Sequence, residues 1–198
     1  MIFNEESAIK LKQGDQTVLE SLVRQYHGPI HAYLLRMGAE FHIANDLTQE
    51  VFIKVCRNIQ SYNTKLAFKP WIYTIASNTY KDYLKKTHLK KDILQSNFDS
   101  NLKIISDNPE TEFLKNSERA KVISALMCLK PIYRETLILR YYQDLKLEEI
   151  AAVLKIPVGT VKSRLSSSFN HLKKILEKEE CSSENHFKRE KVSNSFRT

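Results

Sequence analysis

The chain is poor in the residues that make turns. Only four glycines and five prolines occur in 198 residues, too few for turn-dense β architecture. Three cysteines, Cys56, Cys128 and Cys181, stand far apart with no Cys-x-x-Cys or Cys/His ligand spacing. That argues against a zinc site and against a secreted disulfide framework. Cys56 and Cys128 lie among apolar neighbours and read as buried thiols. No apolar run approaches the ~20 residues of a membrane span, and "MIFNEESAIKLKQG" lacks the apolar stretch of a signal peptide. A cytoplasmic protein with no direct membrane insertion is the expectation.

What is present is helical periodicity. Hydrophobic residues make up 42% of the chain, and over long stretches they recur at helical spacing, so the fold class is all-α. The formal charge of +8 is unevenly spread. Residues 68–91 hold six basic groups against one acidic, and 160–198 hold nine against five, whereas 92–119 hold three against six. Two basic blocks flanking an acidic segment are compatible with solvated lysines, and equally with nucleic-acid binding.

Punctuation divides the chain into two small helical domains joined by a flexible linker. Residues 4–26 read as a helix pair interrupted near "QGDQ". "YHGPIHAYLLRMG" is broken at Gly28-Pro29 and closed by Gly38. "IANDLTQEVFIKVCRNI" starts at Asn45 as N-cap and buries Ala44, Leu47, Val51, Phe52, Val55 and Ile59. A helix from Phe68 to about Lys86 tolerates Pro70 in its first turn. The expected boundaries are a first domain over 1–90, an acidic linker over 91–117, a second domain over 118–178 and a disordered basic tail over 179–198. Each domain alone has a core of marginal size.

In "LEEIAAVLKIPVGTVKSRL" the residues Leu147, Ile150, Ala151 and Leu154 share one helical face, and Pro157 marks a corner. A second helix buries Val161, Leu165, Phe169, Leu172 and Leu176, leaving Ser163, Ser166, Ser167, Asn170 and Lys174 opposite. This suits a helix-turn-helix whose second helix enters a major groove, because short hydroxyl and amide groups allow close approach to base edges. Spacing alone also admits an ordinary helical hairpin with a solvated polar face.

"DLKLEEIAAVLKIPVGTVKSRL" resembles region 4.2 of bacterial RNA polymerase sigma factors of the extracytoplasmic-function (ECF) type. By that resemblance Thr160, Lys162, Ser163, Arg164 and Ser167 contact the promoter −35 element. "NDLTQEVF" is similar to sigma region 2.2, which grips a coiled coil of the polymerase β′ subunit. Asp46, Gln49 and Glu50 match its core-binding positions, with Ile53 on the same face. "FKPWIYTIASNTYKDYLKK" resembles regions 2.3 and 2.4. Tyr73, Ser77, Lys81 and Lys85 are expected to form an outward row with Asn78 beside it, where aromatic stacking and lysines suit single-stranded DNA. The resemblance also implies a flipped −10 base held against the loop from Tyr62 to Phe68. Serines occupy positions 166–168, where family members often carry arginine.

The resemblance implies a promoter-specificity subunit, not an enzyme, with no cofactor or metal. Its partners would be core RNA polymerase (β′, and β by family analogy), promoter DNA and an anti-sigma factor. Two other readings remain open from the residues alone. One is a DNA-binding regulator that does not replace a sigma subunit. The other is a nucleic-acid enzyme recruiting His27, His31 and His42.

Overall fold

The computed structural model describes residues 3–94 and 118–194, and every regular element among them is helical. Helix α1 (Glu5–Lys12) is capped by Asn4, whose side chain accepts the Ser7 N–H at 2.9 Å. The Asp15 carboxylate accepts both the N–H and the hydroxyl of Thr17 as α2 (Thr17–Met37) opens. Those two hydrogen bonds hold its carboxyl below the usual range.

Helix α2 runs unbroken through Gly28-Pro29, where a break was expected. A proline inside a helix costs about 3 kcal/mol. Here Tyr26, Ile30, Tyr33 and Leu34 are all buried on the inner face, and that burial outweighs the lost hydrogen bond. Gly38, at φ 106°, ends α2 in the left-handed conformation.

Helix α3 (Phe41–Asn58) starts from an extended Glu40. Asn45 therefore lies inside the helix and is not its cap, because the turn at Gly38 has already redirected the chain. The five expected core-face residues within α3 are all buried, and so is the sixth, Ile59, which opens the 3-10 turn after it. Cys56 and Cys128 are both exposed, contrary to expectation. On α3 it is the neighbouring Val55 that faces inward.

A 3-10 turn (Ile59–Ser61) and a loop lead to α4 (Phe68–Leu94), which takes up the first residues of the expected linker. The rest of that linker, 95–117, lies outside the described residues. Then come α5 (Glu118–Met127) and α6 (Pro131–Leu137), which passes into a π-turn (Ile138–Tyr142). Helices α7 (Leu147–Leu154) and α8 (Val158–Asn194) complete the chain. The expected disordered tail is helical as far as Asn194, since no glycine or proline after Gly159 interrupts it. Residues 195–198 lie outside the described residues.

The two halves share one core. A single buried cluster runs from Phe3, Leu22, Tyr33 and Ile72 to Leu137, Ile138, Ile150 and Val161. Helix α4 packs on α7, and α2 on α5 and α6. Marginal cores in each half are thus merged into a larger one.

Candidate nucleic-acid interface

The outward row expected on α4 is only half outward. Tyr73 and Ser77 are buried, at 0% and 1% exposure, because the C-terminal half covers them. Tyr73 donates its hydroxyl to Gln143 Oε1, and Ser77 donates to Glu135 Oε1 at 2.5 Å. Burial pushes the Tyr73 phenol well above its ordinary value. Lys81 keeps a partly exposed side chain, and Asn78 and Lys85 are exposed. On the inner side of α4, Phe68, Ile72, Ala76 and Thr79 are buried, and Trp71 and Ile75 are partly so.

Tyr62 and Phe68 cannot face a flipped base in this arrangement. Both are buried in an aromatic cluster, with ring centroids 5.3 Å apart and Trp71 within 5.4 Å of each. The Tyr62 hydroxyl donates to the Leu66 carbonyl at 2.5 Å, folding the loop over its own side chain. The loop surface is instead made by residues 63–67, including Asn63, Lys65 and Leu66, with Leu66 62% exposed.

On α3, Asp46 and Gln49 are exposed and Ile53 is half-exposed among them. Glu50 pairs with Lys54 at 2.8 Å, and Lys54 donates to Thr79 of α4 at 3.1 Å. The carboxylate is therefore held at a fixed place on this face.

Helices α7 and α8 meet at a corner in which Lys155 adopts the left-handed conformation, φ 54°. Glu149 accepts the Lys146 N–H at 2.7 Å and closes the start of α7. Ala151 is buried at the corner. The inner face of α8 is Val161, Leu165 and Ser168, with Leu172 and Ile175 partly buried. Phe169 is 47% exposed rather than part of that stripe, and packs edge-on against Tyr141 at 5.4 Å. The 3.6-residue period carries the stripe to position 168, whose hydroxyl donates to the Arg164 carbonyl at 2.5 Å. Lys162 and Ser163 are exposed; Thr160, Arg164 and Ser167 are partly so.

Sequence reasoning missed the residues that join the halves. Glu135 is buried, accepting from Tyr33, Ser77 and Lys81. Its one visible signal is an acid two residues before the apolar run "LIL". Arg36 lies over the Tyr142 ring at 4.2 Å. It lines an open cleft with Gln25, Lys69, Tyr73 and Gln143. Among the histidines, His27 and His31 stack at 6.3 Å, and His42 pairs with Glu40 at 3.5 Å.

Residues 22–89 match the family model "Sigma-70 region 2", and residues 119–172 match "Sigma-70, region 4". The ECF RNA polymerase sigma factor SigW of Bacillus subtilis is 30% identical over 84% of this chain and 93% of that protein. The ECF RNA polymerase sigma factor SigE of Mycolicibacterium smegmatis is 31% identical over 83% of this chain, which spans 65% of that protein. Among solved structures, the sigma factor RpoE bound to the anti-sigma factor NepR from Bartonella quintana superposes with a TM-score of 0.67. It is 22% identical, covering 80% of this chain and 96% of that one, and shares the fold. With both regions matched in order and such relatives aligned along most of its length, the chain belongs to the ECF-type sigma factors of bacterial RNA polymerase.

Proposed function

We propose that this chain docks on the polymerase core through Asp46, Gln49, Glu50 and Ile53 of α3. It reads duplex −35 DNA with Thr160, Lys162, Ser163, Arg164 and Ser167 of α8. It holds the opened −10 strand along α4, with Asn78 and Lys85 available in the present arrangement, Lys81 paired with Glu135, and Tyr73 and Ser77 behind them. Tyr62 and Phe68 serve the −10 site indirectly, by shaping the loop over residues 63–67. The chain acts in the cytoplasm, where the polymerase is. Among the described residues, no helix is long and apolar enough to cross a membrane.

The observation that carries this reading is the state of α8. Its apolar face is packed, while Lys162 and Ser163 stand open at the start of the helix. That leaves polar groups facing where a groove would be. Two weak DNA grips joined through a polymerase scaffold gain affinity from the tether, so the free chain binds promoter DNA weakly and in a salt-sensitive way. An anti-sigma partner is proposed because the similar RpoE structure is a complex with one.

The test separates the two faces. Asp46→Ala with Glu50→Ala should lower core-polymerase affinity about tenfold or more while leaving duplex binding by the full chain unchanged. Lys162→Ala with Ser163→Ala should do the reverse. Equal loss of both activities from either pair contradicts the assignment.

A further inference from the structure

The loop over residues 63–67 is exposed along its whole length and braced from within. Asn63 accepts the Lys65 N–H on its side chain at 3.0 Å and the Leu66 N–H on its carbonyl at 3.0 Å. The Tyr62 hydroxyl adds a third tie by donating to the Leu66 carbonyl. A loop bonded to itself in this way keeps its shape. Its direction is then set where it joins the body of the protein.

Both joints are held by the N-terminal segment, which precedes the residues matched to region 2. At the exit, the Phe3 ring lies 4.8 Å from that of Phe68 and 6.3 Å from that of Tyr26. Phe3 is fixed in turn by a reciprocal pair with Gln25. Its N–H donates to Gln25 Oε1 at 2.8 Å, and its carbonyl accepts from Gln25 Nε2 at 3.1 Å. At the entry, Lys12 closes α1 and donates its ammonium to the Tyr62 carbonyl at 3.1 Å. Gln60 returns a bond to the Lys12 carbonyl at 2.7 Å.

We propose that Lys12 is a positioning residue for −10 recognition: with Gln60 it fixes the Tyr62 carbonyl, and so the angle at which the loop meets the strand. The inference rests on the reading of residues 63–67 as the −10 loop given above. The exit joint is a packed aromatic contact in the core. The entry joint lies nearer the surface, where Lys12 is partly buried and Gln60 is exposed. A charged donor on a carbonyl is a short, directional bond. Its loss leaves the loop folded on itself but frees its direction. Strand binding must then order the loop, which lowers affinity for the base it holds and leaves contacts elsewhere untouched.

The test uses core polymerase loaded with the full chain and a forked DNA from a promoter it transcribes, duplex at −35 and single-stranded over the −10 non-template strand. Replacing each −10 base in turn by an abasic site measures what that base adds to affinity. In the native holoenzyme one position should carry the largest penalty, that of the base held by the loop. Lys12→Met should shrink this penalty about fivefold, as for the loss of one charge-assisted hydrogen bond near the surface. Penalties at the other positions, and the affinity of the chain for core polymerase, should not change. Gln60→Leu should act in the same direction, and Lys12→Arg should restore the native penalty. A full penalty in Lys12→Met overturns the proposal. So does an effect of Lys12→Met that Gln60→Leu does not share, because Lys12 would then touch the strand itself. Equal weakening at every position, with a lower urea midpoint, also overturns it and makes Lys12 a stabilising residue only. If no abasic position carries a penalty in the native holoenzyme, the loop holds no base and the −10 reading itself falls.

Discussion

Arg134 donates to the backbone carbonyl of Met37 at 2.8 Å, 97 positions away in the chain. The same guanidinium donates to the carbonyls of Leu126 at 2.9 Å and Leu129 at 3.0 Å, and to that of Met127. Tyr80 adds a second donor to Met37 at 3.0 Å. One fork thus ties the α5–α6 turn to the C-terminus of α2. Arg134→Met should destabilise the fold by about 3 kcal/mol, since several buried carbonyls lose their donor. Arg134→Lys should recover only part of that, because an ammonium cannot reproduce the planar fork. Urea unfolding of the three proteins checks the order.

Gly38 sits directly beneath that guanidinium. A Cβ there would lie 3.0 Å from Arg134 Nη1 on a backbone at φ 106°. Gly38→Ala therefore adds backbone strain and displaces the fork. The expected cost is about 1–2 kcal/mol, a fall of about 5 °C in Tm. Placing Gly38→Ala in an Arg134→Met background should cost less than in the native chain, and a double-mutant cycle measures the difference.

His31 supplies a pH dependence. Its Nε2 is buried without a hydrogen-bond partner, and burial, then the charge of neighbouring His27, pull its pKa down. With the folded pKa below the ordinary value of about 6.5, the unfolded chain takes up the proton first. The contribution is intact above about pH 6.5 and is lost as pH falls toward the depressed folded value. The urea midpoint should therefore drop between about pH 7.5 and about pH 5, and His31→Phe should flatten that part of the profile.

On α8, Lys162 is an exposed cation at the start of the helix. If it neutralises one phosphate, Lys162→Ala weakens duplex binding evenly across sequences. It should also reduce the slope of log affinity against log salt by about 1. Ser163→Ala should change sequence preference with little effect on that slope. Titrations at several salt concentrations separate the two roles.

The apolar stripe of α3 was legible because one face of that helix is buried by its immediate neighbours, and periodicity reports one face well. On α4 the same logic failed for Tyr73 and Ser77. That helix is buried on a second face by Glu135 and Gln143, 58 and 70 residues further on. No local pattern announces such a partner. Phe169 was misplaced because a strict four-residue step drifts off a 3.6-residue helix, and Ser168 takes the inner position. In sequence Pro29 reads as a break because its local cost is visible and the burial of Ile30 and Tyr33 is not. Most of the α8 polar face is legible as a pattern: Ser163, Ser166, Asn170 and Lys174 are exposed, and Ser167 is partly so. Its use on DNA came from the resemblance of "IPVGTVKSRL" to region 4.2.

Transcription with purified, sigma-free core polymerase tests the central claim most directly. Core enzyme and this chain together, on a pool of bacterial promoter fragments, should yield transcripts with defined start sites that are absent from either component alone. Asp46→Ala with Glu50→Ala should abolish them. Transcripts that appear only when another sigma factor is also supplied would contradict the account.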